Sequence, residues 1–415
     1  MEIKNRGWTM TWCAVGINLA CGILYSWSVF AAALVNDLGL TKTEASIPNA
    51  IALGMLALLS IPGGRLQDRF GPRICATICG LLVGVGFIVS SFASSLTVLA
   101  LSFGVITGSG IGLAYGATTP AAVKWFPPQK RGLISGLVVA GVGLAAVYQA
   151  PLTQYFVSNY GVKNAFLIEG IIFSVVILVL AQFLSNPPEG YVPSGTSSPV
   201  KGSGVTANRE FSPKEMAATS QFWLIWLMYA CGSVAGLMII GQLAIIAKLQ
   251  ANIAWAFVFV AFLAIFNSSG RVVGGFLADK LGRTNTLLIV FVAQAINMFF
   301  FSTYTTSNLL LMGIGIAGIC YGALFSIFPA LTFDYFGMKN GGVNYGIVFT
   351  SWGLAGVIGP IMAGYVVDST QSYHLAYMVS AGLLVISTIL VLFLKAPKVT
   401  EDSKVVARAS ESLGA

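Results

Sequence analysis

A chain of 415 residues that is 56% hydrophobic and 9% charged, with a mean hydropathy of +0.85, does not fold as an ordinary soluble domain, in which about a quarter of residues carry charge. The net charge of +8 is scattered over short connections and tails, which excludes a nucleic-acid surface. Twelve apolar segments are each long enough to cross a bilayer, and where lipid offers the backbone no hydrogen bonds such segments are helices.

Placing the N-terminus inside puts eighteen of the 22 Lys and Arg on the inner side, against Lys42, Lys163 and Lys248 outside, with Arg271 left within a segment. This positive-inside bias predicts that both termini are cytoplasmic. Short outer connections, and a first segment with no cleavage site behind it, predict a multi-pass protein of a bacterial inner membrane. The expected organisation is a six-helix half over 1-184, a polar cytoplasmic linker over 185-218, a second six-helix half over 219-396 and a cytoplasmic tail over 397-415.

Helix 1 starts at the interfacial Trp8 and carries Leu24-Tyr25-Ser26-Trp27-Ser28 in its outer half. Helix 2 is expected to end at Pro62, before a short basic loop from Gly64 to Arg73 in which Asp68 can face a helix N-terminus or the local arginines. Gly104, Gly108, Gly112 and Gly116 give helix 4 one smooth face for close packing. Pro120, Pro151, Pro329 and Pro360 are expected to bend helices 4, 5, 10 and 11. The six cysteines all lie in apolar segments and read as small packing residues, with neither a disulfide nor a metal implied.

The chain repeats itself. Gly64, Asp68, Arg69 and Gly71 return as Gly275, Asp279, Lys280 and Gly282 at an offset of 211. Trp125-Phe126, Gly136 and Gly143-Leu144-Ala145 return as Tyr335-Phe336, Gly346 and Gly353-Leu354-Ala355 at an offset of 210. A duplicated six-helix unit predicts an all-α membrane protein of two pseudo-symmetric halves, with a substrate site between them near mid-depth and alternating access by rocking.

Arg271 lies roughly 12 Å before Asp279 by helical rise, near the middle of an apolar core about 30 Å thick. An arginine there costs about 2.5 to 3.5 kcal/mol and cannot shed its proton, so it needs water or an anion; its planar fork fits a carboxylate. Asn267, one turn earlier, is placed to orient the guanidinium. Tyr115 reaches the same depth from helix 4. Phe325, Phe349 and Trp352 are placed to wall the pocket with apolar surface, and Leu24 and Tyr321 lie nearer the outer side. The remaining acid inside a segment, Glu169, lies roughly 9 Å from the outer end of helix 6 and is read equally as intramembrane or interfacial, and His374 lies near the outer face, so no clear proton carrier emerges and no acid lies within a turn of Arg271. One buried cation is neutralised by one anionic charge, which favours a monocarboxylate over a dianion.

The paired loop motifs, six helices apart, resemble those of the major facilitator superfamily over the whole chain. Tyr25-Ser26-Trp27-Ser28, Lys124-Trp125-Phe126-Pro127, Lys130-Arg131-Gly132 and Asn344-Tyr345-Gly346 resemble its monocarboxylate transporter and oxalate:formate antiporter branch, including bacterial lactate transporter-like members. The resemblance implies that Arg271 matches the substrate-binding arginine of helix 8. It also implies that Asn267 replaces an aspartate used in proton coupling, and that Trp352 stands where the antiporter has a second cation, a lysine. The expected activity is secondary transport of a small monocarboxylate such as lactate or pyruvate, coupled to protons, with oxalate:formate-type anion antiport as the alternative. A monomeric, non-enzymatic carrier in a lipid bilayer, with no cofactor and no nucleic-acid partner, is expected.

Overall fold

The computed structural model describes residues 6–40, 42–188, 190–193, 210–252 and 257–397, and every regular element among them is helical. α1 joins Gly7–Cys21 to Trp27–Leu38 through a 3-10 stretch, Gly22–Ser26. α2 is Lys42–Phe70 and α3 Pro72–Ser91. α4 covers Leu96–Val123 and includes a π-helical stretch, Ala100–Thr107. Next comes Arg131–Phe183, whose 53 residues would reach roughly 80 Å, far beyond a bilayer. Gly161, with φ 79° and ψ 164°, breaks it into α5, 131–160, and α6, 162–183. The second half comprises α7, Ser220–Ala251; α8, Phe257–Leu281; α9, Arg283–Phe300; α10, Ser307–Phe336; α11, Gly341–Thr370; and α12, His374–Phe393.

Among the described residues eleven uninterrupted stretches are long and apolar enough to cross a membrane, and because one of them contains both α5 and α6 the crossings number twelve. An even number places the two ends of the helical body, and the connection between its halves, on one side, called here the tail face. The residues before Arg6, most of the expected linker (189 and 194–209), the tail from 398, and the side chains of Tyr25, Ser26 and Ser28 lie outside the described residues.

The helices are longer than the prolines suggest. α2 does not end at Pro62 but continues through it to Phe70, so the expected loop is the last two turns of the helix. The turn itself is one residue, Gly71, at φ 87°, and its repeat Gly282, at φ 92°, does the same before α9. Pro120, Pro151 and Pro329 lie inside continuous helices, where the lost hydrogen bond costs less than opening further backbone groups to lipid.

Glycines set the helix spacing. The α4 stripe lies on α2: a Cβ at Gly108 would stand 2.6 Å from the Cα of Ala52, and one at Gly112 2.7 Å from the Leu56 carbonyl. α8 and α10 repeat this crossing, with Gly322 against the Asn267 carbonyl. The halves meet along two equivalent seams, α2 with α11 and α5 with α8. Gly64 lies on Gly342 in one seam, and Gly132 on Gly275 in the other. Deeper in, Gly346 lies on Ile61 and Gly136 on the backbone of Arg271. Gly64, Gly275, Gly136 and Gly346, which helped to reveal the duplication, are therefore residues through which its copies touch. All six cysteines are free, and Cys21 and Cys79 bring their thiols to 3.6 Å inside the first half.

Gly108→Val forces α2 and α4 apart against backbone atoms and should lower stability by about 1 to 3 kcal/mol. Gly54→Ala on the same pair of helices meets nothing within 4 Å and should leave the melting temperature unchanged or slightly raised. Thermal melting of the two purified variants checks both.

Candidate functional site

Arg271 sits where α8 crosses α5, and it is 1% exposed. Its Nε donates to Asn267 Oδ1 at 3.2 Å, and its Nη1 donates to the Val139 carbonyl of α5. The Phe325 ring of α10 lies under the guanidinium, 4.4 Å from Cζ, and Gly143 of α5 bounds it closely enough that a Cβ would stand 3.3 Å from Cζ. Two hydrogen bonds to a charged donor and a desolvated cation–π contact hold the group in place. They do not neutralise it. Among the described residues no carboxylate lies within ion-pair distance of Arg271, and three of its five N–H donors remain unused by protein acceptors.

The aromatic side chains expected around it are joined in one cluster. Tyr115 packs on Phe349 at 4.6 Å between ring centres, and Phe349 stacks on Trp352 at 4.9 Å and 13°. Phe325 meets Trp352 at 5.9 Å and Tyr321 at 5.2 Å, both edge-on. The Trp352 indole donates to the Tyr321 hydroxyl at 2.8 Å, which fixes both rings. Leu24 is half-buried in the 3-10 stretch of α1, which packs on α5, and makes none of these ring or polar contacts.

Two residues join the cluster that the sequence reading did not select. Tyr229 of α7 stacks on Phe328 at 4.2 Å and meets Phe325 and Phe349, and Tyr345 of α11 meets Phe349 at 5.8 Å. Their hydroxyls face each other, and Tyr345 also faces Tyr115, within electrostatic reach of Arg271. Tyr345 could have been found from its position one turn before Phe349 on the same helical face. Glu169, for which the sequence left an intramembrane and an interfacial position equally open, is buried inside the first half, whereas His374 is exposed and pairs with Ser302 at 3.1 Å.

The repeated loop motifs build a clamp on the tail face. Asp68 accepts from the Val343 N–H at 3.1 Å, at the start of α11, and holds Lys124 at 3.2 Å. Asp279 accepts from the N–H groups of Gly132 at 2.9 Å and Leu133 at 2.7 Å, at the start of α5, and pairs with Arg283. Each carboxylate thus meets the unsatisfied donors and positive dipole end of a helix in the other half. Arg283 also binds Asp334 at 3.0 Å, and Asp334 takes Arg131 of the first half at 2.8 Å. Arg69 and Lys280 stay outside this network, over the rings of Phe70 and Phe276. The close backbone approaches between halves lie at the level of Arg271 and toward the tail face, so this conformation is shut on that face.

Twelve helices in two seamed halves around one buried cation are matched by a family profile of the Major Facilitator Superfamily over residues 12–301 and 251–413. The chain belongs to this superfamily. Its relatives include an oxalate:formate antiporter of Oxalobacter formigenes, 26% identical over 382 residues covering 91% of this chain and 89% of that protein. They also include monocarboxylate transporter 13 of Rattus norvegicus, 27% identical over 377 residues covering 88% of this chain and 83% of that one. An uncharacterised transporter of the same type from Escherichia coli, YhjX, is 28% identical over 342 residues, 81% of this chain and 83% of its own. Among solved structures, the Escherichia coli fucose:proton symporter FucP superposes with a TM-score of 0.70 at 13% identity, over 93% of this chain and 98% of FucP. The xylose:proton symporter XylE gives 0.71 at 13% identity, over 94% and 97%. These matches fit the expected branch and the twelve-helix fold, and both are those of transporters rather than enzymes.

Asp279→Asn removes the charge that meets α5 and Arg283, a loss of about 1 to 3 kcal/mol from the closed clamp. Spin labels on the tail-face ends of α5 and α8 should then show a broader, longer distance distribution than in the native chain. An unchanged distribution contradicts the clamp.

Proposed function

We propose that this protein carries small monocarboxylates, of the size of lactate or pyruvate, across the membrane by alternating access, with a proton moving alongside the anion. The observation that carries the reading is the buried guanidinium of Arg271, held by Asn267, Val139 and Phe325 with no carboxylate beside it among the described residues. A carboxylate entering this site completes a charge pair that the fold leaves open. Because the surroundings are otherwise aromatic, a second negative charge would be buried without a partner, at a cost of several kcal/mol. Tyr115, Tyr229 and Tyr345 bring hydroxyls to the same place, suited to a 2-hydroxyl or 2-oxo group next to the carboxylate. Phe325, Phe349 and Trp352 offer a wall for a short alkyl chain, and Tyr321 orients Trp352.

In this reading the tail face is cytoplasmic, the protein is a monomer in a bacterial inner membrane, and the clamped conformation is the one that receives substrate from outside. The charge distribution over the inner connections supports that orientation.

Anion exchange of the oxalate:formate kind is a second reading, favoured by the similarity to that antiporter over 91% of the chain. Against it stands Trp352, whose indole is engaged by Tyr321 and supplies no second cation for a dianion.

Uptake of labelled lactate, pyruvate, formate and oxalate into proteoliposomes with an imposed pH gradient separates the readings. The native chain should accumulate lactate or pyruvate with the proton gradient. Arg271→Ala should lose about 2 to 5 kcal/mol of anion binding, or roughly 30- to 4,000-fold in apparent affinity. Gradient-independent exchange of oxalate for formate instead supports the antiport reading, and uptake indifferent to Arg271→Ala contradicts both.

A further inference from the structure

Asn267 provides no carboxyl beside Arg271, so a proton moving with the anion needs another carrier. One acid in the body of the first half stands apart from every clamp. Glu169 of α6 is 1% exposed, and neither of its oxygens has an aligned hydrogen-bond partner. It faces the Thr153 hydroxyl of α5, itself without an aligned partner, and Gln149 Oε1, one turn along α5, is unpartnered as well. Among the described residues no cation lies within ion-pair distance of it.

The elements around this carboxyl leave little else that titrates. α5 presents Tyr148, which lies within electrostatic reach of Glu169 and of Cys21 on α1. Cys79 of α3 stands behind Cys21, and Phe87 of α3 packs on Gly170 beside the acid. Phe30, Phe87 and Phe103 gather around Phe166, one turn before Glu169. Tyr148 is 38% exposed, so the group next to the carboxyl reaches the surface although the carboxyl does not.

The same helix ties this acid to the anion site. Val139 and Gly143 of α5 contact Arg271, and Thr153 lies ten residues further on, about 15 Å along the axis. Tyr148 and Gln149 donate to the Leu19 carbonyl, and Gln149 also to that of Ala20, at 2.9, 2.9 and 3.3 Å. These carbonyls directly precede the 3-10 stretch where α1 departs from regular helix. α5 thus touches the cation, the acid and the irregular part of α1.

We propose that Glu169 is the proton-carrying group of this transporter, and this rests on the co-transport reading given above. Coupling follows from charge balance in a medium that penalises net charge. With substrate bound, Arg271 and the anion cancel and Glu169 holds its proton as a neutral acid. Once the anion has left, the proton leaves Glu169 to the same aqueous side, and the carboxylate then balances Arg271. Both of these forms are neutral over the two groups and reorient. The carrier with anion but no proton has one net negative charge, and the carrier with proton but no anion has one net positive charge. One proton therefore moves with each monocarboxylate.

The test uses the full-length chain in proteoliposomes, with lactate and pyruvate as probes, and compares native protein, Glu169→Gln and Glu169→Asp in two assays. Glu169→Gln fixes the loaded carrier as neutral and the empty carrier as charged. It should lose accumulation driven by the pH gradient by roughly tenfold or more while substrate-for-substrate exchange continues. Glu169→Asp should keep accumulation with a displaced pH dependence, and it decides the matter if Glu169→Gln does not fold. Accumulation by Glu169→Gln at the native level, loss of exchange and accumulation together in a variant that melts like the native chain, or an unaltered pH profile for Glu169→Asp each overturns the assignment. A native chain that exchanges carboxylates without regard to the pH gradient overturns the co-transport reading and this assignment with it. A native chain that accumulates substrate while Glu169→Gln does so equally overturns the assignment alone.

Discussion

A guanidinium held in the interior of a membrane protein, with no counter-ion among the described residues, is the constraint to which the rest of the structure answers. Water is not the solvent around it, so its position is fixed by the Val139 carbonyl from α5, the Asn267 side chain from α8 and the Phe325 face from α10. Two of these three groups come from helices other than its own, and they fit only because glycines let the helices approach. Gly322 brings α10 onto the backbone at Asn267, and Gly136 brings α5 onto the backbone of Arg271 itself. Packing is therefore what keeps the charge available, and an acid at 267 would have satisfied it.

The duplication distributes these tasks unequally between equivalent positions. At the offset of 210, Tyr115 corresponds to Phe325, and Val139, whose carbonyl accepts from Arg271, corresponds to Phe349. At 211, Arg271 corresponds to Ser60, a buried hydroxyl turned to its own helix backbone. The two seams keep the symmetry while the centre has abandoned it: each half supplies a glycine contact and an aspartate over a helix start, but one half alone supplies the charge. A symmetric hinge around an asymmetric site suits rocking between two conformations about a single ligand. The clamp is asymmetric too, because Asp334 with Arg283 grips Arg131 in one seam and Lys124 stands at the equivalent place in the other.

Much of this was legible in the chain. Helix count, the repeat, the depth of Arg271 and the aromatic residues level with it follow from spacing, because helical rise converts residue number into depth. Asp68 facing a helix N-terminus was one of two expected outcomes, but which helix it faces depends on packing between the halves. Depth says nothing of azimuth, and so Tyr229, which joins the aromatic cluster from α7, was missed. Helix ends were misjudged at Pro62, because the demand for satisfied backbone in lipid outweighs the local break that proline makes in water. The position of Glu169 stayed open between interface and interior because distance from the helix end was its only measure; its burial comes from α1, α3 and α5 closing over α6.

The most direct measurement is equilibrium binding to the purified chain, followed by Trp352 fluorescence or calorimetry, for three ligands of one shape class: lactate, its neutral amide, and a short dicarboxylate. An open charge pair at Arg271 predicts that lactate binds, that the amide binds at least about tenfold more weakly, and that the dianion also falls below lactate. An amide that binds as well as lactate would contradict the account, since the site would then be reading shape alone and the buried guanidinium would need another explanation.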